Sequence, residues 1–187
     1  MKADNLKFLM NQLRFTGFGE GLFGSLQEKM EAGEETFVLQ AVHEEDRDGV
    51  LEADLYFGRG KQEDYWFFNR YLATLTVGKE KRSHSFQIRQ SGHLNTSFLQ
   101  AGHLLAGRPI YADYAGKNEH SGRKVWMELD LERKESPERF RVRRYFDSYG
   151  YDVERALEKT GLKAQIRADQ LSLIIEQLQR GYRTKVG

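Results

Sequence analysis

The stretch YWFFNRYLATLTVGKEKRSHSFQIR, residues 65–89, decides the fold class of this chain of 187 residues. Residues 65–77 are rich in aromatic and branched side chains, and residues 84–89 repeat this character over a shorter length, so each segment predicts a β-strand. Gly78 and the four charged residues that follow it form the short connection between the two segments. Because parallel strands need a much longer crossover, the stretch predicts an antiparallel pair.

Two further strands precede this pair. Apolar side chains alternate with others at Phe37, Leu39 and Ala41, and the same period of two recurs over residues 51–57. The residues EEDRDG at 44–49, which separate these segments, are typical of a hairpin turn. Four successive strands with short connections predict an antiparallel meander.

Two helices are predicted before the meander. The first carries an apolar stripe at helical spacing, formed by Leu6, Leu9, Met10 and Leu13. The second carries apolar residues on one face over 22–30 and ends near Gly33. The chain is therefore predicted to open with an αα-hairpin.

The joint of this hairpin contains GEGLFG, residues 19–24, which matches the pattern G-x-G-x-x-G. A dinucleotide site needs a parallel strand before these glycines, so that they turn into a helix whose N-terminus meets the pyrophosphate. Here the preceding segment has a helical period, and Glu20 would bring a carboxylate to the phosphates. The pattern therefore predicts a joint between helices, and no nucleotide cofactor.

A third helix is predicted downstream of the meander. Ser97 and Gln100 have the spacing of a capping box, and Gly107 and Pro109 are typical of the end of a helix. Residues 111–124 are polar and contain glycines, which predicts a loop.

The remaining elements complete an α+β architecture. Alternating apolar residues predict a fifth strand over 125–131 and a sixth over 140–142, and two closing helices are predicted over 152–159 and 169–180. The prediction is a single α+β domain over 1–187. It consists of an N-terminal αα-hairpin, an antiparallel meander sheet of about six strands with one inserted helix, and two C-terminal helices.

Composition excludes several classes of site. The chain has no cysteine, which rules out disulfides, thiolate zinc sites, iron–sulfur clusters and a cysteine nucleophile. Its first segment, MKADNLKFLMNQLRF, is interrupted by polar residues and predicts neither a signal peptide nor a membrane span, so we expect a cytoplasmic protein that does not bind membranes.

No catalytic signature is found in the sequence. The five histidines show neither the i, i+4 spacing nor the short clusters of metal sites, and no G-x-S-x-G nucleophile elbow is present. We therefore expect no catalytic residues, no metal and no cofactor.

The segment RFRVRRYF, residues 139–146, is the first candidate binding region. Because side chains alternate along a strand, Arg139, Arg141 and Arg143 share one face, where they could follow a phosphate backbone. Cations of the C-terminal tail extend this hypothesis. The candidate nucleic-acid-binding residues are Arg139, Arg141, Arg143, Arg180, Arg183 and Lys185.

A cross-strand charge ladder is the favoured interpretation of the same arginines. If Leu131 lies opposite Phe140 in a hairpin, each arginine faces an acidic residue of the fifth strand, and such pairs contribute about 0.2–1 kcal/mol each. That register pairs Glu132 with Arg139, Asp130 with Arg141, Glu128 with Arg143, and Trp126 with Tyr145. Whether the arginines are paired or free is left open by the sequence.

The segment YFDSYGYD, residues 145–152, is the second candidate binding region. It has the tyrosine, serine, glycine and aspartate content of adaptable recognition loops. Tyr145, Tyr149 and Tyr151 are the candidate partner-binding residues. The alternative is a corner in which Tyr149 and Tyr151 pack under the following helix.

Several motifs together resemble a known group of proteins. They are LRFTGFGEGL, YWFFNRYLATL, LLAGRPIY, VWMELD, YFDSYGYDVERAL and LQRGYRTKV. This run, which spans most of the chain, resembles an uncharacterised family of small proteins encoded on bacterial conjugative and other mobile elements. That family has no assigned activity, cofactor or catalytic residue, so the resemblance implies only an accessory function in a mobile element.

We therefore expect a non-enzymatic interaction module. The favoured partner is a protein, bound through the tyrosines of residues 145–152 and the edges of the sheet. The alternative is a DNA- or RNA-binding accessory factor that uses the arginines, and an enzyme of unrecognised class is the third hypothesis. The identity of the partner and the oligomeric state are left open.

Overall fold

The computed structural model describes residues 3–45, 49–60, 65–89, 95–114 and 123–185. It shows an α+β fold in which helices accompany two antiparallel sheets. The helices are α1 (Ala3–Phe15), α2 (Phe23–Glu31), α3 (Phe98–Leu105), α4 (Val153–Lys159) and α5 (Leu171–Gln179). The strands are β1 (Thr36–Glu45), β2 (Gly49–Arg59), β3 (Trp66–Val77), β4 (Glu80–Gln87), β5 (Ile110–Asp113), β6 (Lys124–Ser136) and β7 (Arg139–Tyr145).

The first four strands form the predicted antiparallel meander, in the order β1-β2-β3-β4. The β1–β2 hairpin closes at the pair Glu45 and Gly49, and residues 46–48 of its predicted turn lie outside the described residues. Gly49 has φ +92°, and a Cβ there would lie 2.0 Å from the carbonyl oxygen of Thr76. Only glycine fits this corner of the sheet.

The N-terminal helices are confirmed, and so is the joint between them. Helix α1 ends at Phe15, and Gly17 follows it with a φ of +79°, which allows the Phe18 amide to donate to the Leu13 carbonyl oxygen. Gly19 also has a positive φ, of 74°, and lies between two helices, not between a strand and a helix. The glycine pattern therefore serves the turn between α1 and α2.

The prediction of one meander of about six strands is wrong. Seven strands are described, and the last three form a second antiparallel sheet in the order β5-β6-β7. Strand β5, Ile110–Asp113, occupies the start of the predicted loop 111–124 and pairs with β6, where Ile110 faces Met127. This strand was missed because four residues are too few to show a clear period. Residues 115–122 of the predicted loop lie outside the described residues.

The two sheets meet at one end of strands β4 and β7. The Ser85 amide donates to the Glu138 carbonyl oxygen at 2.8 Å, and the Phe140 amide donates to Nδ1 of His84 at 3.0 Å. Beyond this joint β4 and β7 do not pair, and each belongs to its own sheet. Helix α3 packs against both sheets, and one hydrophobic core contains residues from each of them.

Candidate functional site: a basic groove and a tyrosine surface

Strand β7 directs alternate side chains to the two faces of the second sheet. Phe140 is buried and Val142 is half-buried on the inner face, which Arg144 shares because it follows at the same period of two. Arg141 and Arg143 point to the outer face. The sequence RFRVRRYF therefore sends arginines to both sides of the sheet.

The predicted charge ladder is correct in register over only part of its length. Trp126 faces Tyr145, Glu128 faces Arg143 and Asp130 faces Arg141, as expected. Beyond Asp130 the prediction is wrong. Irregularities in β6 between Asp130 and Ser136 shift the pairing, so that Lys134 faces Phe140 and Ser136 faces Arg139, in place of Leu131 and Glu132.

The ion pairs also differ from a one-to-one ladder. Arg143 binds both acidic side chains of the outer face, at 2.5 Å from Asp130 Oδ2 and 3.6 Å from Glu128 Oε1. Its hydrogen bond to Asp130 raises the pKa of the Arg143 guanidinium. Within the described part of the chain, neither Arg139 nor Arg141 forms an ion pair. Only one of the three arginines is therefore neutralised.

A groove of about 450 Å³ lies between β4 and the inner face of the second sheet, with α3 along one side. Among the described residues, its lining carries five cations and one carboxylate, that of Asp113. The cations are Arg89, Lys124, Arg139, Arg144 and Arg180, all of them exposed. Arg180 is paired with Glu176 at 2.6 Å, whereas the other four form no ion pair with any described residue. We call this the basic groove.

Buried His84 lines the basic groove at the joint of the sheets. Because its Nδ1 accepts the Phe140 amide hydrogen, the neutral ring carries its proton on Nε2. Burial, followed by the positive charges of Arg139 and Arg144, lowers the pKa of His84 to about 4. The described residues that line the groove carry more positive than negative charge.

Uncharged polar and aromatic groups complete the lining. Asn95 bridges the backbone of Arg89, accepting from its amide at 2.8 Å and donating to its carbonyl oxygen at 2.9 Å. Gln87 and Gln100 also line the groove. The Arg144 guanidinium lies 5.9 Å from the centroid of the Tyr114 ring. Cations, amide groups and an aromatic ring therefore lie along one concave surface.

The structure separates the predicted basic residues into different places. Arg139 and Arg180 line the basic groove, whereas Arg183 lines an apolar groove of about 390 Å³ beside α4 and α5, and Lys185 is exposed. The sequence prediction missed Arg89, Lys124 and Arg144. A signal existed for Arg144, because it occupies a position where the period of β7 calls for an apolar residue.

The outer face of the second sheet carries the predicted tyrosines. After β7 the chain forms a 3₁₀ turn, Asp147–Tyr149, and the Tyr149 ring lies 4.9 Å from that of Tyr145. Tyr151 packs edge-on against Trp126 at 5.3 Å. Tyr149 and Tyr151 are 67% and 52% exposed, so neither is buried under the following helix. We call Tyr145, Tyr149 and Tyr151, together with Trp126, the tyrosine surface.

A metal site and a membrane-spanning helix are both absent from the described residues. No group of three His, Asp or Glu side chains there is arranged to hold a metal ion. None of the described helices combines the length and the apolar character that crossing a membrane requires. Comparison with known protein families, with curated proteins and with solved structures finds no match.

Proposed function

We propose that the basic groove binds the sugar-phosphate backbone of single-stranded nucleic acid. The observation that carries this proposal is the set of four exposed cations, Arg89, Lys124, Arg139 and Arg144, that line one groove without ion-pair partners in the described chain. Exposed arginines without partners along a concave surface attract phosphates, and neutralising phosphates releases counterions. Arginine also binds phosphate oxygens through two parallel hydrogen bonds.

The uncharged lining favours a single strand over a duplex. Sites for single strands combine a positively charged groove with aromatic side chains on which bases stack. Tyr114 supplies such a ring beside Arg144, and the amide groups of Gln87 and Gln100 can hydrogen-bond to unpaired base edges. An accessory function in a mobile element, which the resemblance of the sequence implies, accords with binding of this kind.

Fluorescence anisotropy of a labelled oligonucleotide tests the proposal. Single-stranded and duplex probes are titrated with the wild type and with an Arg139→Ala/Arg144→Ala variant between 50 and 200 mM salt. Four phosphate contacts predict a slope of log affinity against log salt of about −2.8 for the wild type and about −1.4 for the variant. The single strand should bind more tightly than the duplex.

Arg141→Ala provides a matched control. It removes one charge from the same strand, as the single variant Arg144→Ala does, but on the outer face, so it should leave the salt slope unchanged. An equal loss of affinity in Arg141→Ala and in Arg144→Ala would show a nonspecific effect of net charge and refute the groove. Circular dichroism confirms that each variant is folded.

The tyrosine surface supports a second function, the binding of a partner protein. Tyr149 and Tyr151 remain more than half exposed although they pack against other aromatic rings of the same face. Tyrosines held in this way offer contact area at a small entropic cost. A pull-down tests this function. A partner protein that is lost with the Tyr149→Ser/Tyr151→Ser variant and retained by the Arg144→Ala variant would bind the tyrosine surface and not the groove.

A further inference from the structure

A pocket of about 270 Å³ opens within the outer face of the second sheet, beside the 3₁₀ turn and the start of α4. Aromatic rings and carboxylates dominate its lining, and none of the described lining residues is a lysine or an arginine. The aromatic residues are Tyr111, Trp126, Tyr145, Phe146 and Tyr151. The carboxylates are Asp147, Asp152 and Glu154. We call this the aromatic pocket.

The aromatic rings form a continuous wall. Tyr111 lies 5.3 Å from Trp126, and Trp126 lies 5.3 Å from Tyr151, with an interplanar angle of 88° between the last two. The sheet holds two of these residues in place, because Tyr111 of β5 and Trp126 of β6 are directly paired. A ligand would therefore meet rings whose positions are set by the sheet.

The three carboxylates of the pocket differ in their partners. Glu154 forms an ion pair with Lys163 at 2.6 Å, and Asp152 caps α4 by accepting from the Arg155 amide at 3.1 Å. Asp147, in contrast, makes no ion pair with any described residue. Burial, followed by the charge of Asp147, raises the pKa of the Tyr111 hydroxyl, and both residues line the pocket.

Neither Lys124 nor Arg143 forms an ion pair with Asp147. Lys124 lies 6.0 Å from the centroid of the Tyr111 ring, at the outer limit of a cation–π contact. Arg143 is held by Asp130 and Glu128, as described above. The described lining of the pocket is therefore negative and aromatic, and Lys124, which also lines the basic groove, lies at its margin.

We propose that the aromatic pocket binds a basic side chain, arginine or lysine, of a partner polypeptide. Faces of tryptophan and tyrosine attract cations, and a carboxylate at the edge of the same pocket adds a charge-assisted hydrogen bond. Arginine fits best because its planar guanidinium stacks on aromatic rings and remains charged at all physiological pH values. This inference rests on the partner-protein function proposed for the tyrosine surface.

A peptide of five Gly-Arg repeats tests the proposal, with a Gly-citrulline peptide as its uncharged match. The fluorescence of Trp126 reports binding, since the other tryptophan, Trp66, is only 2% exposed. We expect the arginine peptide to change this fluorescence saturably and the citrulline peptide to bind at least tenfold more weakly. Asp147→Asn should weaken the arginine peptide about threefold, as expected for one partly exposed ion pair.

Two further variants keep the test specific. Asp4→Asn removes the same charge from helix α1 and should leave the affinity unchanged. Tyr151→Leu should weaken binding by about 2- to 30-fold, the range of a cation–π contact. Retained binding of the arginine peptide in both Asp147→Asn and Tyr151→Leu would overturn the proposal, because the peptide would then bind elsewhere.

The remaining outcomes separate the pocket from the function on which it rests. Equal binding of the arginine and citrulline peptides, weakened by Tyr151→Leu, would refute recognition of a cation and leave the partner-protein function standing. Binding of neither peptide, together with a pull-down partner that depends on Tyr149 and Tyr151, would also refute the pocket alone. Binding of neither peptide and no such partner would refute both.

Discussion

Acidification should weaken the joint between the two sheets through a single residue, His84. At neutral pH its Nδ1 accepts the Phe140 amide hydrogen at 3.0 Å, and its ring lies 4.7 Å from Phe86. Protonation of Nδ1 replaces the acceptor with a donor, so the hydrogen bond is lost. It also places a charge in the core beside the positive charges of Arg139 and Arg144.

The magnitude follows from the pKa of His84, which burial and then the two arginines lower from 6.5 to about 4. Between these values the unfolded chain binds a proton that the folded chain does not, so the free energy of unfolding falls as the pH falls. The stabilisation is complete above pH 6.5 and is lost progressively down to pH 4. The loss due to His84 is about 1 kcal/mol at pH 5.5 and about 2–3 kcal/mol at pH 4.5.

Urea unfolding of the wild type and of His84→Asn, followed by circular dichroism at pH 7, 5.5 and 4.5, measures this loss. The asparagine Oδ1 takes the place of Nδ1 as an acceptor but does not titrate in this range. All other groups are shared, so the difference in slope between the two proteins isolates His84. We expect the wild type to lose about 2–3 kcal/mol more than the variant between pH 7 and 4.5. If the free energy of unfolding falls equally in the two proteins as the pH is lowered, the reasoning is refuted.

Three substitutions test other parts of the fold by the same urea assay. Asn5→Ala should cost about 2 kcal/mol or more, because buried Asn5, 3% exposed, bonds both the amide and the carbonyl oxygen of Trp66, and these buried groups would lose their partners. A cost below about 0.5 kcal/mol would show that water replaces the amide. Ser97→Ala should cost about 1 kcal/mol, since the serine hydroxyl caps α3, and Ser97→Asp should recover most of it. Gly181→Ala should cost about 1–3 kcal/mol, because this glycine has φ +86° and a Cβ there would lie 2.9 Å from the His103 side chain. An unchanged midpoint in Gly181→Ala would mean that the C-terminal segment does not contribute to stability.

The elements that could be predicted from the sequence are those whose signals are local. Helices α1 and α2 follow from apolar stripes that end at glycines, and both glycines, Gly17 and Gly33, have positive φ. The capping box of Ser97 and Gln100 forms as expected. The meander follows because each of its strands is long enough to show a period and the connections are short. In each case the deciding residues lie within about ten positions of one another.

The elements that could not be predicted depend on contacts between distant residues. The period of β7 was visible, but the irregularity of β6 after Asp130 was not, because a bulge leaves no fixed residue signature. The joint between the two sheets is the contact of β4 with β7, which brings together residues more than fifty positions apart, such as His84 and Phe140. The basic groove could not be foreseen either, since Arg89, Lys124 and Arg144 come together only when the second sheet folds against β4.

The basic groove and the joint between the sheets are electrostatically coupled. Arg139 and Arg144, which should bind phosphates, are the same residues that add to burial in lowering the pKa of His84. A phosphate backbone beside them would offset their charge, and the pKa of His84 would rise toward its ordinary value of 6.5. Because linkage is reciprocal, protonation of His84 should in turn favour the anion. Bound single-stranded nucleic acid would therefore reduce the stability that the protein loses on acidification. The free protein would be destabilised by acid more than the complex. The arginines of β7 that line the groove would thus connect the stability of the fold to the occupancy of the site.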